Sequence, residues 1–234
     1  MNGGPLLFLG FLFSLALSFW GMILAPQLQI GQAQQSQVLL AGETFYPTPR
    51  PGAAQRGAQI YAINGCAECH TQQVQPPEIS VDDERGWGQR RSVARDYLYD
   101  YPVQLGQLRL GPDLSNIGLR QTNVLWHLTH LYAPKTVVEG STMPHYRFLF
   151  EKRELMGETP APAALPLGEL VEPGYEVVPK QEAHELVAYL LSLRNEVSIL
   201  EAQLPPPPTN QPPVGATNEL EASSESASTN APAE

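Results

Sequence analysis

The chain has 234 residues and a formal net charge of −10, and this length indicates one domain with additional segments rather than two full domains. The acidic balance and a charged fraction of only 16% argue against a nucleic-acid partner, because phosphate binding requires a basic face. Only two cysteines are present, and the motif described below uses both, so no disulfide is predicted.

The amino-terminal segment is apolar and uncharged from Leu6 to Leu24. As an α-helix this run would span about 28 Å, close to the thickness of a bilayer core. A cleaved signal peptide is the alternative, but it would have a basic start, a shorter apolar core and a clear cleavage site. No Lys or Arg precedes Arg50, and residues 31–33 make only a weak cleavage site. We therefore predict a retained transmembrane anchor over residues 1–26.

A polar, Gln-rich and proline-dotted stretch follows at residues 27–52, which is typical of a tether between a membrane and a domain. We predict one domain over residues 53–200. Its first helix is expected to begin near Ala53 and to run into the next motif.

Cys66-Ala67-Glu68-Cys69-His70 has the spacing of a haem c attachment site. Two thiols one helical turn apart can each add to a vinyl group of one porphyrin, and the following imidazole can reach the iron. A zinc site would need further ligands, and the only other close pair is His127 with His130. A redox dithiol is the other alternative. We predict one covalent haem c, and hence a domain outside the cytoplasm, where such attachment occurs.

Long irregular stretches are expected at residues 71–118 and 157–179, where glycines and prolines recur. Loops of this length are unusual in a compact domain, but they are expected where a haem replaces much of the core. Within the first stretch, Pro112 lies in a Gly-Pro-Asp-Leu turn. Its carbonyl can accept the Nδ1–H of His70, which would fix the ring and raise its basicity.

Two more helices are predicted, one over Thr122–Leu131 with Thr122 or Asn123 as its cap, and one over Gln181–Arg194 with one buried face. Between them, Met143-Pro144 is the favoured second axial ligand, since a thioether raises the reduction potential and keeps small ligands out. His145 is the next candidate. The remaining candidates are Met156, His127, His130 and His184. Residues 201–234 are predicted to form a disordered Pro/Ser/Ala/Glu tail.

Several short segments occur in a specific order: Asn64 to Gln72, Arg85-Gly86, Ser92-Val93-Ala94, Tyr99-Asp100-Tyr101-Pro102, Gly111-Pro112-Asp113-Leu114, Trp126-His127 and Ser141 to Tyr146. In this order they resemble the mono-haem, membrane-anchored cytochrome c subunit of cbb3-type cytochrome c oxidases, often called subunit II or the O subunit. The Tyr-Asp-x-Pro and Met-Pro-x-Tyr segments carry the resemblance, because the cysteine motif and the Gly-Pro-Asp-Leu turn are shared by many c-type cytochromes.

The resemblance implies an all-α, class I cytochrome c domain on one transmembrane helix, with long irregular loops, in the inner (cytoplasmic) membrane. The domain would face the periplasm. It also implies a role: the chain would accept electrons from a donor cytochrome c or a companion c-type subunit. It would pass them to the catalytic subunit that holds haem b and copper, with no oxygen chemistry of its own.

This chain departs from the family pattern at Gln75-Pro76-Pro77, where a basic residue followed by Pro-Phe is usual. Three other functions remain open from the residues alone. The first is the small cytochrome c subunit of a nitric oxide reductase, and the second is a free-standing anchored electron carrier. The third is a haem-based gas sensor, which would need an open or weak sixth position.

Overall fold

A computed structural model describes residues 3–31, 36–38, 44–157 and 159–205. The predicted tail of residues 201–234 lies outside the described residues from residue 206 onward.

The amino-terminal helix is longer than the predicted anchor. It consists of α1 (Gly4–Phe19), a π-helical turn (Trp20–Leu24) and α2 (Ala25–Ile30). Pro26 has no N–H to donate to the preceding turn. The Ala25 N–H bonds the Trp20 carbonyl, five residues earlier, which is the spacing of a π-helix. Residues Gly4–Gln29 are long and apolar enough to cross a membrane, with a mean hydropathy of 2.2, and none of α1 is buried. Helical structure therefore continues beyond residue 26, as far as Ile30.

The predicted tether also contains structure. Strands β1 (Ser36–Val38) and β2 (Thr44–Tyr46) pair antiparallel, with Ser36 opposite Tyr46. The Tyr46 side chain is buried against Ile199 and Ala202. An aromatic side chain from the predicted tether therefore packs against residues near the end of the described domain.

Helices α3 (Gly52–Ile63) and α6 (Gln181–Ser192) cross at the centre of the core. A Cβ on Gly57 would lie 1.9 Å from the Glu185 carbonyl oxygen, so only glycine allows the two backbones to come this close. One turn later, the rings of Tyr61 and Tyr189 meet edge to face at 5.3 Å. This crossing brings the ends of the domain together.

Two shorter helices, α4 (Ile117–Arg120) and α5 (Val124–Tyr132), lie between them in sequence. The Asn123 side chain accepts a hydrogen bond from the Trp126 N–H at 3.1 Å, so Asn123 rather than Thr122 caps α5. In the described chain between α3 and α4, the helical segments are the 3-10 turns Cys66–Glu68 and Ala94–Tyr97.

The fold is mostly helical but not all-α, because a second pair of strands follows α5 in addition to β1 and β2. Strands β3 (Phe150–Glu154) and β4 (Tyr175–Pro179) form an antiparallel hairpin with Phe150 opposite Pro179. The second strand lies within the stretch predicted to be irregular. Its proline closes the end of the ladder, and Val177 is buried in the core.

Candidate functional site

All five residues predicted from the sequence to form the site line one cavity of about 410 Å³. This volume falls within the range of cofactor sites. The wall is otherwise mainly apolar, with contributions from the loops and from α5 and α6. The five predicted residues are Cys66, Cys69, His70, Pro112 and Met143, and the apolar residues include Leu114, Ile117, Leu131, Leu186 and Leu190.

The two cysteines lie on a tight turn directly after α3. Gly65 ends the helix in the left-handed region with φ of 68°, which a glycine adopts without strain. The His70 N–H then bonds the Cys66 carbonyl at 3.0 Å. Burial raises the pKa of the Cys66 thiol to about 11, and a hydrogen bond with Tyr146 opposes this only in part. Cys66 is therefore a neutral thiol at neutral pH.

The His70 ring is held by the turn predicted to reach it. Its Nδ1 lies 2.8 Å from the Pro112 carbonyl oxygen, so Nδ1 donates and the lone pair is on Nε2. Burial lowers the pKa of His70, although the Pro112 contact opposes the shift, and the ring is neutral at neutral pH. A Cβ on Gly111 would lie 2.2 Å from Cε1 of this ring, so glycine is needed for the backbone to pass.

Asp113, whose role was not predicted from the sequence, fixes this turn against the cysteine motif. Its fully buried carboxylate accepts hydrogen bonds from the Thr71 hydroxyl at 2.6 Å, the Gln73 N–H at 2.7 Å and the Ser115 N–H at 2.8 Å. The Leu114 N–H also bonds the Thr71 carbonyl at 2.8 Å. The aspartate in the Gly-Pro-Asp-Leu turn was the available signal, but its partners were not apparent from spacing.

Met143 lines the same cavity from the loop between α5 and β3. The loop is anchored where the Tyr146 N–H bonds the Leu131 carbonyl at 2.9 Å. Met143 is partly buried and packs on the main core. Its thioether is the soft donor that the cavity offers besides the cysteine sulfurs.

Of the other candidate iron ligands His145, Met156, His184 and His127, only His127 lines the cavity. His145 does not line the cavity, and its Nδ1 lies 3.1 Å from the Tyr132 carbonyl. Met156 is 98% exposed in the β3–β4 loop, and His184 is exposed on α6. His127 does line the cavity, but its Nε2 contacts the Gln121 carbonyl at 2.9 Å.

His130 also lines the cavity. Its ring stacks on Trp126 at 4.7 Å. Burial lowers the pKa of His130 to about 4, although a hydrogen bond with the Pro134 backbone opposes the shift, so the ring is neutral at neutral pH.

The donor set suits porphyrin iron better than a bare metal ion. Among the residues that the structure describes, no group of three or more His, Cys, Asp or Glu side chains could hold an ion. Two thiols, one imidazole and one thioether around an apolar cavity instead fit a haem, so these residues could hold the group that the motif predicts.

Comparison with protein-family models identifies the family of the chain. No curated protein matches the chain. The family model described as cytochrome c oxidase, mono-heme subunit/FixO, matches residues 43–164, just over half of the 234-residue chain. The matched range contains the cysteine motif, the Pro112 turn and Met143, and it confirms the resemblance seen in the sequence. The chain belongs to the FixO family of mono-haem cytochrome c oxidase subunits.

Proposed function

We propose that this chain is the electron-transfer subunit of a haem–copper terminal oxidase, with one covalently attached haem c. The family match supports the oxidase and the single haem. The main structural support for a haem site is that one cavity is lined by all five predicted residues, Cys66, Cys69, His70, Pro112 and Met143. When bound, the haem supplies a one-electron iron(III)/iron(II) couple.

The residues have distinct tasks in this proposal. Cys66 and Cys69 would hold the haem covalently, because each S–H can add across one vinyl double bond to form a C–S bond with no leaving group and no oxidant. His70 would bind the iron through Nε2, while its Nδ1–H donates a hydrogen bond to the Pro112 carbonyl and so fixes the orientation of the ring. Met143 would also hold the iron through its thioether sulfur, and the apolar wall would exclude water.

The domain fits a class I cytochrome c arrangement in this proposal, supported by the close crossing of α3 and α6 beside the cavity. The subunit accepts single electrons from a donor cytochrome c or a companion c-type subunit. It delivers them to a catalytic subunit that contains haem b and copper. The apolar helix Gly4–Gln29 anchors it in the inner membrane as a single span, with the domain on the periplasmic side.

The first experiment measures haem types and metals in the complex that co-purifies with the full chain in mild detergent. Haems c and b together with copper are expected. Haems c and b with non-haem iron and no copper would contradict the oxidase assignment and indicate a nitric oxide reductase. One haem c without any partner would contradict the subunit role and indicate an anchored carrier.

Covalent attachment is tested separately with the Cys66→Ser/Cys69→Ser double variant. Haem should remain with the denatured wild-type chain after acidic organic extraction and should be removed from the variant. Haem that extracts from the wild type would contradict a thioether bond.

A further inference from the structure

We propose that Asp113 is a positioning residue for His70 and that its buried charge lowers the reduction potential of the site. This inference rests on the proposed haem attachment and adds a residue that the motifs do not include. Asp113 does not line the cavity and acts only through its neighbours.

The first step of the argument is geometric. The Pro112 carbonyl that meets His70 lies between two fixed points. On one side, the Gly111 N–H bonds the Cys69 carbonyl at 3.0 Å. On the other side, Asp113 is held by the Thr71 hydroxyl and the Gln73 N–H. Asp113 therefore fixes the distance between the cysteine motif and the carbonyl that orients the His70 ring.

The second step concerns charge. The Asp113 side chain has no exposed surface, and the nearest guanidinium nitrogen of Arg109 lies 4.0 Å away. Arg109 is shared, because it also binds Asp82 through two nitrogens at 2.6 and 2.9 Å. The second nearby cation, Arg120, bonds the backbone carbonyl of Asp113 and not its carboxylate. The negative charge of Asp113 is thus only partly balanced beside His70.

A buried negative charge near a redox iron stabilises the more positive oxidation state and so disfavours reduction. Arg109 contacts the same cluster, because its Nε donates to the Thr71 hydroxyl at 3.1 Å. Its positive charge has the opposite effect and favours reduction. Removing each charge should therefore move the potential in opposite directions, whereas loosening of the turn alone would move both variants in the same direction.

The test is a redox titration of the haem-loaded full chain, followed at the α band, for Asp113→Asn and Arg109→Gln. We expect a several-fold higher equilibrium constant for reduction in Asp113→Asn and a lower constant in Arg109→Gln. The paramagnetically shifted proton signals of the His70 ring should change in Asp113→Asn. Asp96→Asn is the matched control, since it disrupts a buried ion pair with Arg90 whose residues do not line the cavity. It should keep the wild-type potential.

Unchanged potentials in both variants, or shifts of the same sign, would overturn the inference while leaving the proposed function intact. If Asp113→Asn fails to bind haem, the sign of the Arg109→Gln shift still decides the question. A wild-type chain without covalent haem would contradict the proposed function itself.

Discussion

At the scale of single residues, the site combines short sequence motifs with contacts between distant positions. His70 and Pro112 are 42 residues apart in sequence and 2.8 Å apart in space. The sequence predicted this pair because the turn is recognisable next to a cysteine motif. It did not predict the role of Asp113, because that role depends on burial and on which distant groups donate hydrogen bonds to its carboxylate.

Met143 can be tested by its spectrum. Met143→Ala should remove the iron–sulfur band in the near infrared and lower the reduction potential, because a thioether ligand raises it. Met156→Ala is the matched control, since Met156 is 98% exposed and does not line the cavity. A near-infrared spectrum of Met143→Ala identical to that of the wild type would contradict ligation by Met143.

Asp82 gives a prediction that depends on pH. Burial alone would raise its pKa, but hydrogen bonds from Arg109, the Gln75 N–H and Ser80 bring the pKa below its usual value. The unfolded chain takes up this proton near pH 4, and the folded chain does so only at lower pH. The stabilisation by Asp82 is therefore present above about pH 4 and is lost as the pH falls through the folded-state pKa.

Asp82→Asn should reduce the free energy of unfolding by about 1–3 kcal/mol at neutral pH. The difference from the wild type should shrink at about pH 3. Urea unfolding of the haem-loaded chain at both pH values measures this difference. Asp83→Asn, on the exposed neighbour, should have little effect. A difference that stays constant with pH would show that the ionised carboxylate is not the source of the stabilisation.

At the scale of elements, the three longer helices of the domain were predictable and the strands were not. Helices α3, α5 and α6 begin within about two residues of the predicted positions. Their caps and apolar spacing are local signals. Strand β3 has the sequence FEKRE with four exposed residues, so it lacks the alternation that indicates a strand. Its partner follows a proline-rich stretch, and only their pairing makes either one a strand.

The crossing of α3 and α6 can be tested at its closest point. Gly57→Ala should destabilise the domain by about 1–3 kcal/mol, because the added methyl group would force the helices apart. Gly52→Ala is the control in the same helix, since its Cβ would meet only the end of Arg56 at 3.7 Å. Thermal unfolding of both variants measures the effect. Equal melting temperatures for the two would contradict the close crossing.

At the scale of the whole molecule, the order of segments carried the family assignment, and the matched range extends from residue 43 to residue 164. Helix α6 lies beyond that range, yet its residues Leu186 and Leu190 line the cavity. The site therefore needs parts of the chain that no motif identified. Sequence could predict which chemical groups are present, but only the fold shows that a helix near residue 190 closes the cavity.

The pairing of Ser36 with Tyr46 limits how far the domain can move from the apolar helix. Tyr46 is buried in the domain, so its strand partner moves with it. The length of the chain from Ile30 to Ser36 therefore allows these two residues to lie at most about 20 Å apart. In the proposed subunit, this short distance would keep the cavity near the surface in which the helix is fixed, and it would give a redox partner in the same assembly a high effective concentration of the cavity.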